Sequence, residues 1–360
     1  MKTPWELLKE SKTKIKTTWR IAFVSALVLG LLIHLPVMLS DIPNHDGLSS
    51  MYFDQNMITS GRWFLTVACG FSSYFTIPWV IGLIGLIWLA LTAAVLTEVL
   101  ELTDPVTITV VSGLLVSFPA LASTFAYVFT MDGYMLALFL AVLAVLFTAK
   151  YPRGYLTGAV CLAFSMGIYQ AYLPFTILLC VYKILLFFME EKGWEKKAKY
   201  VCRYLGMGIA GGVLYYVILQ ILLKLQGRVL DTYQGINSME QMGSGMGILT
   251  TLKGMYVDFL AFTVHGNVLV NNIFSLAACI ILVATVVFLV IRSMIWRKWW
   301  KNPAFFVIMI LLGISMPLLT NVILLISPNL TYHLLMRYQW VLYLILMTAF
   351  ADRYTAEESR

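Results

Sequence analysis

Ten separate runs of apolar sequence, each near the length of a membrane-spanning helix, leave this chain few ways to fold. A bilayer core about 30 Å thick takes roughly 20 apolar residues as an α-helix. Such runs lie near residues 21–39, 76–98, 105–121, 133–149, 155–170, 172–189, 204–224, 269–291, 303–326 and 334–351. Those at 105–121 and 155–170 are short. Of 360 residues 60% are hydrophobic and 12% charged, which excludes an ordinary soluble domain. A transmembrane β-barrel needs strands of about ten residues with alternating polarity, whereas these runs are continuously apolar. The sequence predicts an all-α polytopic membrane protein with about ten transmembrane helices and further helices lying against one membrane surface.

The net charge of +7 invites a nucleic-acid reading, but the placement of the cations explains it better. Lys2, Lys9, Lys12, Lys14, Lys16 and Arg20 precede the first run. Lys150 and Arg153, then Lys192, Lys196, Lys197, Lys199 and Arg203, then Arg292, Arg297, Lys298 and Lys301 fall in alternate loops. With ten spans these share one face, the cytoplasmic one by the positive-inside rule, and no nucleic-acid partner is expected. The opposite loops hold only Arg62, Arg228, Lys253 and Arg337, with Lys224 close by. Residues 1–20 read as a cytoplasmic amphipathic lead-in, 21–351 as one transmembrane domain and 352–360 as a cytoplasmic tail. No small-x-small cleavage pattern follows the first run, so it reads as an uncleaved signal-anchor. Cys69, Cys161, Cys180, Cys202 and Cys279 have no pairwise spacing that suggests a disulfide framework or a metal knuckle.

Polar residues concentrate in the exterior loops. The loop 40–75 carries Asp41, His45, Asp46, Asp54 and Arg62, and its residues 47–60 predict an interfacial helix ended by Gly61. The stretch 117–134 is apolar, broken by Pro119 and closed by Asp132, as in a re-entrant hairpin with Asp132 at a helix N-cap position. G-I-Y-Q-A-Y-L-P (167–174) reads as a tight turn with Tyr169, Gln170 and Tyr172 in the surface belt. The loop 225–268 is the longest, with Gly-rich residues 242–247, a half-apolar helix over 248–264, and His265 after it. Arg337 stands about one turn inside the last span. Glu98 and Glu101, in the turn 98–105, have no evident role, and His34 in the first span reads as a core histidine.

Asp46, Asp54, Arg62, Asp132, Gln170, His265 and Arg337 thus come from separate loops onto one face. Ion-coupled transporters place ionisable groups near the bilayer midplane and commonly show internal repeats, and neither is evident here. The residue types suit transfer of a sugar from a lipid phosphate. The leaving phosphate needs no strong general acid, but a carboxylate must take the proton of the attacking hydroxyl. Cations must hold the phosphate, and aromatic and amide groups can orient the sugar. Asp46 is the candidate base, with Asp54 and Asp132 as further catalytic carboxylates. Arg62, Arg337, His45, Tyr169, Gln170 and His265 are the candidate binding residues. Each has a plainer alternative: Asp46 and Asp132 as helix caps, Asp54 paired with Arg62, the arginines as snorkelling anchors. A flippase of lipid-linked sugars is the main rival reading. Acyl transfer would call for a mid-membrane His with a carboxylate, and phosphotransfer for a clustered metal site.

The order D-I-P-N-H-D-G (41–47), Y-F-D (52–54), S-G-R-W-F (60–64), F-T-M-D-G-Y (129–134) and S-M-G-I-Y-Q-A-Y (165–172) resembles the type II Gtr glucosyltransferases. These are bacterial GT-C-fold enzymes that decorate cell-surface polysaccharides such as O-antigen. The resemblance is best over residues 25–190; beyond them it keeps only the general architecture and Arg337. It implies inverting transfer of a sugar, often glucose, from undecaprenyl phosphate to a polysaccharide or lipid-linked glycan on the outer face of the cytoplasmic membrane. It also implies a flippase and a cytoplasmic synthase that provide the donor. The family pattern pairs two acids where this chain has His45 and Asp46, so only Asp46 carries over as base and a divalent cation is left open.

Overall fold

Residues 15–40, 58–69, 77–190, 193–230, 248–266, 268–296, 303–327 and 330–356, with Thr3 and Lys298, are described by the structure, a computed structural model. The apolar runs fold as helices because their backbone groups can be satisfied in hydrocarbon only within each segment. In chain order they are α1 (Thr17–Leu39), α2 (Leu65–Ala68), α3 (Pro78–Leu100), α4 (Pro105–Ser117), α5 (Pro119–Phe125), α6 (Val128–Lys150), α7 (Gly154–Ile168) and α8 (Leu173–Glu190). There follow α9 (Trp194–Gln226), α10 (Ile248–Leu260), α11 (Ile273–Trp296), α12 (Pro303–Thr320), α13 (Val322–Ile326) and α14 (Val341–Ala356). Short 3-10 segments, Gln170–Tyr172 and Leu334–Trp340, lead into α8 and α14, and a π turn, Ala261–His265, follows α10. All ten apolar runs are occupied by helix. Among the described residues seven helical segments are long and apolar enough to cross a membrane, eight if α4 and α5 form one bent span, and α7 and α12 are shorter apolar helices.

α3, α6, α8 and the segment leading into α14 are the most buried, and α11 is almost wholly exposed on its apolar surface. α3 packs on α1 and α6, α6 on α7, and α7 on α9. Small residues allow the close approach of α6 and α7. A Cβ at Gly158 would stand 2.7 Å from the Ala144 carbonyl oxygen and 2.5 Å from the Thr148 hydroxyl.

One end of the bundle is tied by charge. Glu98, at the end of α3, accepts from Lys16 Nζ at 2.6 Å and from Lys150 Nζ at 2.9 Å. Glu101 accepts from Lys183 at 2.6 Å and from Arg353 at 2.9 Å, and Arg353 also donates to Glu190. The two acids without evident role in the sequence are therefore the junctions at which α1, α3, α6, α8 and α14 meet. Of the cations in the alternate-loop pattern, Lys16 and Lys150 meet at this end, and Arg203 donates beside them to the carbonyls of Thr148 and Tyr151. The charged stretch 190–203, expected as a loop, is helical from Trp194, so α9 has 33 residues and is about 50 Å long. Lys and Glu are good helix formers, and Lys197 lies over the rings of Phe188 and Trp194.

Glu101 holds a left-handed conformation, φ 60° and ψ 36°, at the end of α3. That conformation costs a non-glycine residue roughly 1–2 kcal/mol, and the two cations fix its side chain there. Burial works to raise the Glu101 pKa, but the contacts with Lys183 and Arg353 outweigh it and hold the carboxyl below its ordinary 4.5. A lowered folded-state pKa stabilises above that ordinary value and loses the contribution as pH falls through the folded pKa. The wild type is expected to melt above Glu101→Gln near neutral pH, with the gap closing in acid; a gap constant with pH would contradict the pairing.

In residues 117–134 the break expected at Pro119 is present, and one expectation, the Asp132 cap, changes. Proline at 119 lacks an N–H and disfavours helix at the preceding residue. Phe118 is accordingly extended (ψ 133°), and α5 starts at Pro119, bent 49° from α4. Asp132 does not cap a helix. It sits inside the second turn of α6, 4% exposed, where its own carboxylate accepts from the Gly133 N–H at 2.9 Å. Residues 41–57 lie outside the described residues, as do residues 4–14 of the lead-in, while Thr17–Arg20 already belong to α1.

Candidate functional site

At the end opposite the Glu98 junction, the S-G-R-W-F segment folds into a turn pinned from three sides. Gln170 Nε2 donates to the Ser60 carbonyl at 3.4 Å and to the Tyr215 hydroxyl at 2.9 Å, and that hydroxyl donates to the Gly61 carbonyl at 3.0 Å. The Phe64 N–H donates to the Gly167 carbonyl at 2.7 Å. Trp63 lies so close to Gly167 that a Cβ there would meet the indole at 2.6 Å. The turn delivers Arg62 onto the face of Tyr169, 5.1 Å from the ring centre, with Nη1 3.4 Å from the Tyr134 hydroxyl. Tyr134 and Tyr169 stack at 4.3 Å. Burial, and then Tyr134, pushes the Tyr169 phenol well above its ordinary value against the opposing pull of Arg62, so it stays neutral. Gly61 has φ +77°, and a Cβ would stand 2.6 Å from the Tyr215 hydroxyl and 2.7 Å from Gln170 Nε2. Gly61→Ala is therefore expected to lower thermal stability by about 1–3 kcal/mol and to weaken activity with it. A variant that melts and works like wild type would show that the turn is not so held.

The second cation, Arg337, is enclosed. Its Nη1 and Nη2 donate to the two carboxylate oxygens of Asp258, each at 2.7 Å, and its Nε donates to the Tyr332 carbonyl at 3.2 Å. The guanidinium lies 4.0 Å from the Tyr332 ring centre and 4.7 Å from that of Phe262. Asn321 Nδ2 donates to Asp258 at 3.1 Å and to the Met255 carbonyl at 2.8 Å. The snorkelling alternative does not hold for Arg337, because its fork is filled by a carboxylate of α10. Burial is the main cause that raises the Tyr332 phenol, so it too is neutral.

A buried aromatic layer joins the two seats. Tyr169 meets Tyr172 at 5.6 Å, Tyr172 meets Tyr338 at 6.4 Å, and Tyr338 follows Arg337 directly in the chain. The surface-belt expectation for this turn is overturned: Tyr169 and Tyr172 are 3% and 1% exposed. The turn is buried because residues 60–64 and the segment 334–340 close over it. Gln170 is engaged by the Gly61 turn, as a clamp. His265 is exposed at the end of the π turn and is not brought to either seat by any contact described. His34 is a core histidine as expected, its Nε2 2.8 Å from the Val116 carbonyl and its ring stacked on Phe125 at 3.9 Å. Asp46, His45 and Asp54 lie outside the described residues, in the stretch linking α1 to the Arg62 turn. Among the described residues no cluster of three His, Cys, Asp or Glu could hold a metal ion.

Asp258, Tyr134, Tyr215 and Asn321 went unread in the sequence. Asp258 carried a usable signal: a lone carboxylate in the half-apolar helix Y-V-D-F-L, needing a partner, as Arg337 did. Tyr134 and Tyr215 carried none, because apolar spans commonly contain tyrosine.

These elements define a polytopic helical membrane protein with a polar, arginine-centred site at one end of its bundle. The family model described as glucosyl transferase GtrII matches residues 35–350. The chain belongs to that family, as its motifs suggested, and is a membrane glucosyltransferase. The matched residues take in the acid-rich stretch 41–57, the Arg62 turn, Asp132, Asp258 and Arg337. No curated protein and no solved structure matches the chain.

Proposed function

We propose that this protein moves glucose from a polyprenyl phosphate to a polysaccharide or lipid-linked glycan at the outer face of the bacterial cytoplasmic membrane, inverting the anomeric carbon. The observation that carries the reading is the Arg62 turn. Gln170 and Tyr215 clamp it so that a guanidinium rests on the Tyr134–Tyr169 stack, directly after the acid-rich stretch. A guanidinium presents paired donors suited to phosphate oxygens. In this scheme Asp46 accepts the proton of the acceptor hydroxyl, that oxygen bonds to the anomeric carbon, and the bond to the phosphate oxygen breaks on the opposite side. Polyprenyl phosphate departs, and Arg62 stabilises the charge gathering on it. Asp54 and His45 belong to the same acid-rich stretch of sequence as Asp46. Asp132, buried in the second turn of α6, and His265, exposed at the end of the π turn, are given no step in this scheme. Arg337, already held by Asp258, fixes the opposite wall and reaches the phosphate only if Asp258 gives way.

A flippase and a cytoplasmic synthase would present the donor on that face. The test is transfer of label by the purified protein from radiolabelled undecaprenyl-phosphate glucose to an envelope glycan. Labelled glycan supports the reading. Intact donor crossing a liposome membrane with no product would instead mark a flippase.

A further inference from the structure

α9 has 33 residues, more than a bilayer core needs, and beyond Trp194 its exposed large apolar side chains run from Leu205 to Leu225. Twenty residues of α-helix rise about 30 Å, the thickness of the hydrocarbon. Leu205 therefore marks the hydrocarbon boundary at the Glu98 end. Arg203 and Lys199 stand about 3 and 9 Å beyond it along the helix, and their side chains reach a head-group layer of about 5–8 Å. The two are one turn apart on one side of α9. Arg203 donates to the carbonyls of Thr148 and Tyr151, so this side faces the turn between α6 and α7. Arg153 stands in that turn, exposed, just before α7, and no side chain from it caps the first N–H groups of that helix. Neither Arg153 nor Lys199 has an ion-pair partner among the described residues. Glu98 is occupied by Lys16 and Lys150, and Glu195, the single acid of α9, lies about 6 Å further from the hydrocarbon than Lys199.

Below these cations the groove between α7 and α9 is open toward lipid. At Gly206 a Cβ would meet only Tyr155, at 3.7 Å. Leu156 and Val160 of α7 and Leu205 and Ile209 of α9, 46–69% exposed, flank it. We infer that this notch binds one anionic phospholipid, its phosphate against Arg153, Lys199 and the open end of α7, its acyl chains on the groove below. A phosphate there gains from two cations and from the positive end of a helix together. Arg203, held by the last carbonyls of α6, offsets the negative end of that helix, which would otherwise repel the phosphate. A zwitterionic head group brings its own cation and gains less. The apolar walls directly beneath select a lipid over a soluble phosphate, and basic pockets between helices at head-group depth suit acidic lipids. The notch lies at the opposite end of the bundle from the Arg62 turn and does not depend on the reaction proposed above.

The test uses the full-length protein purified in detergent. Native mass spectrometry measures its affinity for phosphatidylglycerol and for phosphatidylcholine with the same acyl chains. Phosphatidylglycerol is expected to bind more tightly, one per chain. Arg153→Gln and Lys199→Gln should each weaken it about fivefold and together roughly 30-fold, which corresponds to about 1 kcal/mol for each basic side chain near a charged membrane surface. Both side chains are exposed, so the lipid-free variants should melt like wild type. Arg153→Lys with Lys199→Arg keeps the charge and should keep the binding. Arg20→Gln removes an exposed cation of the same end from α1 and should leave it unchanged. Glycerol 3-phosphate, a head group without chains, should not compete. Equal affinity for phosphatidylcholine, or binding unchanged in the double Gln variant, would overturn the assignment. So would an equal loss in Arg20→Gln, the mark of a general attraction to a charged leaflet. Competition by glycerol 3-phosphate at matched concentration would make the notch a soluble-anion site and overturn it too.

Discussion

Asp46→Asn is expected to slow glucosyl transfer by at least about 10²-fold while the amount of membrane-folded protein stays at the wild-type level. The substitution keeps the shape of the side chain and removes its capacity to take a proton. A positioned general base contributes typically 10²–10⁴-fold. The loss should fall on kcat, with KM little changed, because an amide can keep the hydrogen bonds of binding but not accept the proton in the transition state. Asp46 belongs to the stretch joining α1 to the Arg62 turn, and that turn is anchored by Gln170, Tyr215 and the Gly167 carbonyl. Full activity in the variant would take Asp46 out of the mechanism and direct attention to Asp54, in the same stretch.

The second large effect concerns stability. Asp258→Ala leaves the Arg337 guanidinium, 10% exposed, enclosed by Tyr332, Phe262 and Trp340 without its carboxylate. Breaking such a buried pair from one side costs about 3–5 kcal/mol, whereas replacing both partners by apolar groups is often close to neutral. The single variant should melt far below wild type. The double variant Asp258→Leu with Arg337→Met should recover more than half of the loss. Thermal melting of the purified proteins in detergent measures both, and their non-additivity gives the coupling. A single variant as stable as wild type would show that the pair does not hold α10 to the segment leading into α14.

The apolar runs and the alternate-loop cations were legible because hydrocarbon imposes one rule on every span: about twenty apolar residues, internally bonded, with cations kept to one side. The order of motifs made the family legible too. What the sequence hid were contacts that depend on which helices meet. Glu98 and Glu101 look like idle acids in a short turn until α1, α6, α8 and α14 bring Lys16, Lys150, Lys183 and Arg353 to them. Tyr169 and Tyr172 look like belt aromatics because a turn between spans normally lies at the interface, and here two other segments cover it. Asp132 follows an apolar stretch as a cap would, but α6 begins four residues earlier, at Val128. Asp258 and Arg337 were each visible as a charge in apolar sequence; only the fold pairs them across 79 positions.

The central claim, that a lipid phosphate and not a nucleotide carries the sugar, is tested most directly by offering purified protein radiolabelled glucose on either carrier with one envelope glycan acceptor. The account predicts labelled glycan from undecaprenyl-phosphate glucose and none from the nucleotide sugar. Transfer from the nucleotide sugar alone would contradict it.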